Sequence, residues 1–261
     1  MTSIEPSKAL LKHFNIIDYE RASPGGQKTV FIVTIASQKY ALKIIKVADE
    51  RFEREVKICK QFDGNKGIPV IERIEKFGKD TIILEEYIEG NDLSELVSEY
   101  VGNAPKVCKL IHTASNILKP VWDANYVHRD LKPPNIRIRV NGEPVILDFG
   151  IARALDDESI TGTGIQPYTW PFASPEQFDG HKKLISYRTD FFCLGIIAYH
   201  LYTNSLPFGK TRDEIDRSFQ DNRLIVDSGN ESINMFCNGV FKHNPSERPR
   251  KIESFLNLIK L

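Results

Sequence analysis

Two patterns of apolar and polar positions divide the chain. In the first third the apolar runs are short and β-rich. Thr29 to Ile35 and Lys39 to Ile45 predict two strands joined through Ala36-Ser37-Gln38 as a hairpin. From Asp49 to Phe62 the spacing becomes helical, with Phe52, Val56 and Cys59 on one face. Ile68 to Ile74 and Thr81 to Tyr87 predict two more strands, and Gly90-Asn91-Asp92 breaks the pattern. From Leu93 onward helical spacing dominates. Val107 to Ala124 and Thr189 to Tyr202 are the clearest helices, the second aromatic-rich and expected to be buried. Between them, Ile136 to Val140 and Val145 to Leu147 predict a short hairpin turning at Asn141-Gly142. Asp148 to Glu176 is rich in turn formers, and a loop of that length inside a compact domain is expected to serve a function. The fold class that follows is α+β: a strand-rich N-terminal lobe over residues ~12–87, a hinge over ~86–92 and a helix-rich C-terminal lobe over ~93–261.

Composition narrows the possibilities. A chain of 261 residues with 41% hydrophobic positions is large enough for a packed core. Lys plus Arg and Asp plus Glu both number 35, so no global field steers the chain towards nucleic acid or an anionic membrane, and no nucleic-acid partner is expected. Cys59, Cys108, Cys193 and Cys237 are scattered, without a C-x-x-C pair, which argues against a zinc site. They are expected as buried free thiols in a reducing compartment. Met1 to Pro6 lacks the charged and apolar blocks of a signal peptide, and Phe191 to Leu201 is too short to span a bilayer. A cytoplasmic location without a membrane anchor is the expectation.

The chemistry concentrates in His128-Arg129-Asp130-Leu131-Lys132-Pro133-Pro134-Asn135, followed by Asp148-Phe149-Gly150. Asp130 is a candidate base for a hydroxyl proton. Lys132, two residues on, reaches a transferring phosphate, and Asn135 offers an amide oxygen to a metal. Asp148 offers a hard carboxylate of the kind Mg²⁺ prefers. The predicted hairpin between Asn135 and Asp148 would return both to one cleft. Positioned phosphates, metal and an orienting carboxylate are what phosphoryl transfer requires. A lone aspartate is usually a cap or a solvated charge; the whole pattern is far more specific.

These two motifs resemble the catalytic loop and metal-binding motif of eukaryotic-type (Hanks-type) serine/threonine protein kinases. The resemblance runs over roughly residues 15–260. It implies a single bilobal kinase domain over residues 1–261, with an antiparallel sheet and one helix in the N-lobe and a mainly helical C-lobe. It also implies ATP and Mg²⁺, with Mn²⁺ as a substitute, and transfer of the γ-phosphoryl group to Ser/Thr hydroxyls of protein substrates, this chain among them. Tyr40-Ala41-Leu42-Lys43 resembles the strand motif whose lysine holds the α- and β-phosphates. Glu55 is the expected helix partner of Lys43. Glu53 competes, but only Glu55 lies four residues before Cys59, the position expected to pack inward. Glu86 to Gly90 resembles the hinge, with Glu86 and Ile88 offering backbone to adenine and Val30 and Ala41 lining the base. Asp92 falls at a ribose-binding position and equally at a helix N-cap position before Leu93. Ala173-Ser174-Pro175-Glu176 resembles the end of the activation segment. Arg248 is its expected buried ion-pair partner, Asp190 the brace behind the catalytic loop, and Thr169 the bridge between Asp130 and Lys132.

The chain also departs from that family. Its glycine-rich loop keeps Gly25, with Gly26 beside it, and places Lys28 where a third glycine is usual. A Gly-Gly turn still offers backbone amides to phosphate. Glu85 occupies the gatekeeper position next to the adenine site, where a buried carboxylate is costly unless paired. Trp170 and Phe172 either shape a substrate pocket or simply pack. Arg129 suits an activation segment controlled by phosphorylation, with Ser159, Thr161 and Thr163 as acceptors. Two other functions compete: a pseudokinase-like nucleotide-binding scaffold, suggested by the sparse glycine loop, and a small-molecule phosphotransferase, which Arg129 and Ala-Ser-Pro-Glu disfavour.

Overall fold

The β-rich runs of the first third pair into one antiparallel sheet, and its edges and turns follow from particular residues. The structure is a computed structural model and describes residues 5–23, 29–45, 50–149, 153–154 and 169–260. The chain divides into two compact units, Met1–Glu89 and Gly90–Leu261.

In the first unit a short helix, α1 (Lys8–His13), is followed by strands β1 (Ile16–Ser23), β2 (Thr29–Ile35) and β3 (Gln38–Ile45), helix α2 (Glu50–Gln61) and strands β4 (Ile71–Phe77) and β5 (Asp80–Glu86). The strand order is β1-β2-β3-β5-β4. Neither α1 nor β1 was picked out by the apolar pattern. Helix α1 begins at Ser7, whose Oγ accepts from the Leu10 N–H at 3.2 Å, satisfying one orphan donor of the first turn. The β2–β3 turn is tighter than expected, two residues rather than three, with Ala36 and Ser37 at φ 47° and 69°. Strand β4 starts at Ile71 rather than Ile68, because Pro69 has no N–H to give a ladder. Alternation gives the sheet two apolar faces. Phe31, Val33, Leu42, Ile44, Ile82 and Leu84 pack with Leu10 and Phe14 on one side. Ile45 and Ile83 pack with Val56 of α2 and with Ile71 and Ile74 on the other. By the same alternation Lys43 lies on the α2 side.

The second unit contains β6 (Gly90–Asp92), α3 (Ala104–Asp123), β7 (Tyr126–Val127), β8 (Ile136–Arg139), β9 (Pro144–Ile146), β10 (Arg153–Ala154), α4 (Pro175–Phe178), α5 (Tyr187–Thr203), α6 (Arg212–Gln220), α7 (Glu231–Val240) and α8 (Ile252–Leu256). Gly90-Asn91-Asp92, expected only as a break, forms the outer strand of a three-stranded sheet, β6-β8-β9. Gly90 has φ 143°, and a Cβ there would lie 1.9 Å from the Ile138 carbonyl oxygen, so a side chain would break this pairing. Helix α5 is buried along almost its whole length. Phe191 stacks on Phe255 with centroids 3.8 Å apart, and Trp122 of α3 meets Phe191 edge-on. All four cysteines are free and buried. Among the described residues no helix is long and apolar enough to cross a membrane.

Candidate active site

In the first unit the chemistry lies on the α2 side of the sheet. Lys43 Nζ donates to Glu55 Oε1 at 3.0 Å, and Glu53 is exposed, so the helical-face argument for Glu55 picked the carboxylate that meets the lysine. Lys43 has a second partner that the sequence did not supply. Glu85 places Oε1 at 2.8 Å and Oε2 at 2.7 Å from Nζ. Register explains the meeting. Ala41 pairs with Glu85 and Lys43 with Ile83, so these four side chains share one face, which brings Glu85 to Lys43. Glu55 and Glu85 are both buried. Burial pulls the Lys43 pKa down, but the two carboxylates outweigh it and hold the ammonium well above the usual lysine value.

The other sequence candidates of this unit surround that cluster in the ladder. Val30 pairs with Lys43 across β2–β3, and Ala41 lies between Ile32 and Glu85. The Glu86 N–H donates to the Val70 carbonyl at 2.9 Å, and Ile88 is buried. Gly25, Gly26 and Lys28 lie outside the described residues.

In the second unit the octapeptide folds back on itself around Asp130. Lys132 Nζ donates to Asp130 Oδ2 at 2.8 Å and to Thr169 Oγ1 at 2.7 Å. Asn135 Nδ2 donates to Asp130 Oδ2 at 3.1 Å and to the Asp130 carbonyl at 2.8 Å. Thr169 Oγ1 reaches Asp130 Oδ1 only at 3.4 Å. Among the described residues one carboxylate oxygen therefore carries two firm bonds, and the other only the long contact to Thr169. The Leu147 N–H donates to the Asn135 carbonyl at 2.8 Å, so the hairpin β8–β9 returns Asp148 beside Asn135. Asp148 has φ 60° and Arg129 φ 74°, left-handed backbone on non-glycine residues that the surroundings must hold in place.

A buried frame holds this backbone. Asp190, at the start of α5, accepts from the His128 and Arg129 N–H groups and from Trp122 Nε1, each at 2.9 Å. Burial pushes its carboxyl pKa up, against the pull of these three donors. His128 Nε2 donates to the Leu147 carbonyl at 3.0 Å and Nδ1 accepts from the Asp130 N–H at 3.3 Å, which fixes the tautomer. Its ring meets Phe149 edge-on at 4.8 Å. Glu176 and Arg248 form a two-pronged pair with both bonds at 2.7 Å, and Thr189 Oγ1 also donates to Glu176. Gln177 was not singled out from sequence. It accepts from the Ser174 N–H and Oγ, and its Nε2 donates to the Arg129 carbonyl at 2.6 Å, tying α4 to the loop that carries Asp130. Nothing in its spacing distinguishes it from a helix-surface glutamine.

Asp92 resolves differently from the cap reading. Its side chain makes no cap bond to the 3₁₀ turn that follows. Arg137 Nη1 donates to its Oδ1 at 2.8 Å, and Arg137 Nη2 donates to the Gly90 carbonyl at 2.6 Å. Trp170 meets Phe178 edge-on, with the Arg212 guanidinium 4.5 Å from its ring centroid. Phe172 meets His200 edge-on. Gly150, Ser159, Thr161 and Thr163 lie outside the described residues.

Among the described residues no group of three or more His, Cys, Asp or Glu side chains is placed to hold a metal by itself. One carboxylate and one amide oxygen, from Asp148 and Asn135, fit a hard cation that takes its remaining ligands from phosphates and water. The bonds from Asn135 Nδ2 to Asp130 fix the amide and leave its oxygen as the group to offer.

A family model described as "Protein kinase domain" matches residues 24–257. The chain is similar to serine/threonine-protein kinase pkn3 of Myxococcus xanthus, 32% identical over 222 residues that cover 78% of this chain and 40% of that protein. It is also similar to serine/threonine-protein kinase PknL of Mycobacterium tuberculosis, 30% identical over 221 residues covering 78% of this chain and 53% of the relative. The probable serine/threonine-protein kinase PknB of Corynebacterium glutamicum is 32% identical over 205 residues, covering 70% and 30%. The chain spans about half or less of the length of these curated relatives.

Proposed function

The chain belongs to the protein kinase family, and from that premise we propose that it transfers the γ-phosphoryl group of ATP to Ser/Thr hydroxyls of protein substrates, its own included. The observation that carries this reading is the Asp130 constellation. Lys132 and Asn135 grip one oxygen of the carboxylate, and the other is turned to Thr169 at a long 3.4 Å. That oxygen accepts the proton of the substrate hydroxyl as the hydroxyl oxygen bonds to the γ-phosphorus and the bond from that phosphorus to the β–γ bridging oxygen breaks, with ADP as the leaving group. Lys132 places positive charge beside the transferring phosphoryl group, and Thr169 holds Lys132 and Asp130 in register. Lys43, set by Glu55, holds the α- and β-phosphates. Val30 and Ala41 line the adenine, the backbone of Glu86 and Ile88 binds it, and Asp92 takes the ribose. Gly25 and Gly26 supply amides to the phosphates. Asp148 and Asn135 would hold a divalent cation, Mg²⁺ or Mn²⁺, which would supply charge that neutralises the phosphates.

Residues 1–261 then form one kinase domain, with residues ~86–92 as its hinge, close to the division between the two compact units at Glu89 and Gly90. Free buried thiols and the lack of a membrane-spanning helix among the described residues suit a cytoplasmic location. The test is incubation of the purified chain with labelled ATP and Mg²⁺ and a generic protein substrate, beside Asp130→Ala and Lys43→Met. Label on protein from the wild type alone supports the reading. Nucleotide binding with no transfer to any protein rejects it in favour of a scaffold.

A further inference from the structure

Two exposed cations at the start of α6 have no carboxylate partner among the described residues. Lys210 and Arg212 flank Thr211, the N-cap of the helix. The Arg212 guanidinium is held over rings instead, 4.5 Å from the Trp170 centroid and 5.8 Å from that of Phe178. A stacked guanidinium keeps its N–H edge clear of the ring, available to a planar acceptor. The acids of α6 are placed elsewhere. Glu214 spends Oε2 on the Lys210 and Thr211 N–H groups, Asp216 accepts from Gln220 Nε2 at 2.9 Å, and Asp213 is exposed at the next helix position. Lys210 borders the same turn from its other side. His200 meets Phe172 edge-on, and burial lowers its pKa with the Lys210 charge adding to that pull.

The rings beneath Arg212 are fixed close to Asp130. Trp170 directly follows Thr169, whose Oγ1 accepts from Lys132 Nζ at 2.7 Å and lies 3.4 Å from Asp130 Oδ1. Phe178 is buried, and it meets Trp170 edge-on at 5.2 Å and Phe219 of α6 at 5.5 Å. The turn over Trp170–Phe172 and α6 are thus clamped together through aromatic contacts. An extended peptide advances about 3.4 Å per residue, so a chain that sets a hydroxyl at Asp130 and passes over Trp170 reaches Arg212 within a few residues.

We infer that Arg212, with Lys210 beside it, selects protein substrates that carry Asp or Glu close to the phosphorylated Ser or Thr. The inference deepens the kinase reading above and rests on it. The guanidinium fork donates two parallel N–H bonds to a carboxylate while its face stays on Trp170, a geometry that an ammonium does not match. This chain itself contains one sequence of the class, since Asp156-Asp157-Glu158 directly precedes Ser159. Arg212 is thus a specificity-determining residue that meets the substrate away from the transferring phosphorus.

The test measures kcat/KM of the full chain on peptides with one central Ser or Thr and with Asp or Glu, Asn or Gln, and Lys or Arg placed in turn at each neighbouring position. A peptide of residues 153–163 is compared with its Asp156→Asn, Asp157→Asn, Glu158→Gln counterpart in the same way. At the preferred position acidic peptides are expected to react about tenfold more efficiently than their amide counterparts, the scale of one hydrogen bond between charged groups. Arg212→Gln should bring that ratio close to one, and Arg212→Glu should reverse it in favour of Lys or Arg. Equal efficiency on acidic and amide peptides with the wild type overturns the inference while the kinase reading stands. An acidic preference of full size in Arg212→Gln overturns it too. So does a loss of rate in Arg212→Gln that is the same for every peptide, which would mark packing alone. If neither variant folds, Arg212→Lys, which keeps the charge without the fork, decides: a reduced acidic preference supports the inference and an undiminished one overturns it. No transfer by the wild type to any peptide or protein overturns both readings.

Discussion

Among the described residues, Glu176 with Arg248 and Lys43 with Glu55 and Glu85 are two buried ionic clusters, one in each unit, and they are built differently. Arg248 meets Glu176 with two parallel bonds of 2.7 Å, and its guanidinium also donates to the carbonyls of Arg188 and Lys242. Charge is matched one to one, the donor fork is filled, and Phe192 covers the guanidinium. Lys43 is shared between two carboxylates carried by different elements, α2 and β5, with no fixed fork to match either. A closed, neutral cluster has nothing further to bind, so its value is structural. A point charge divided between two carboxylates suits the phosphate-binding role proposed for Lys43. The same residue classes thus build a matched fork in one unit and a shared ammonium in the other.

The Asp130 group shares features of both. Its frame, from Asp190 through His128 and Arg129 to Gln177, is as closed as the Glu176 pair, yet one oxygen of Asp130 is left underused. The largest effect should follow from removing that oxygen's basicity. Asp130→Asn keeps the acceptor shape and is expected to lower kcat by about 10²–10⁴, with ATP affinity unchanged by equilibrium titration. A variant that loses ATP binding in step with rate would put Asp130 in the binding class instead. Next, Arg248→Met leaves Glu176 charged and unpaired in the core. Stability should fall by about 3–5 kcal/mol, which lowers Tm on the order of 10 °C in a thermal melt. A near-neutral result would show that the closed cluster is not closed.

Smaller effects separate the two acceptors of Lys43. Glu55→Gln removes one charged hydrogen bond and should lower kcat/KM by about tenfold to a hundredfold, with Glu85 still holding the ammonium. Complete loss of activity would mean that Glu85 does not hold Lys43 in a productive place. The smallest expected effect lies at an exposed terminus. Glu214 Oε2 accepts from the Lys210 and Thr211 N–H groups at the start of α6, and these bonds hold its carboxyl below its ordinary value. For a depressed acid the stabilisation is complete above the ordinary carboxylate range and is lost as pH falls through the depressed value. The stability gap between wild type and Glu214→Ala should therefore be present at neutral pH and close in acid, as denaturant titrations at several pH values would show.

What the sequence made legible followed from spacing. The run His128 to Asn135, with Asp148 thirteen residues beyond Asn135, was legible as one candidate site because its members are close in the chain and joined by one short hairpin. Helical periodicity separated Glu55 from Glu53, because a helix face can be counted from one end to the other. What escaped depended on register or on distant packing. Glu85 meets Lys43 only because Ala41 pairs with Glu85, and no local rule fixes that pairing. Gly90 to Asp92 forms a strand only because Ile138 approaches a residue without a Cβ. Asp92 has the composition of a cap but is held by Arg137, forty-five positions away. Gln177 has no periodic signature, and its bond to the Arg129 carbonyl exists only in the folded unit.

The central claim is that Asp130, held by this frame, directs phosphoryl transfer to a protein hydroxyl. A single-turnover reaction with saturating ATP, Mg²⁺ and a generic protein substrate tests it most directly, with the modified residue identified by mass spectrometry. The account predicts phosphoserine or phosphothreonine formed by the wild type, and product formation slowed by about 10²–10⁴ in Asp130→Asn at equal nucleotide occupancy. Equal rates for the two proteins, or ATP consumed with no phosphorylated Ser or Thr, would contradict it.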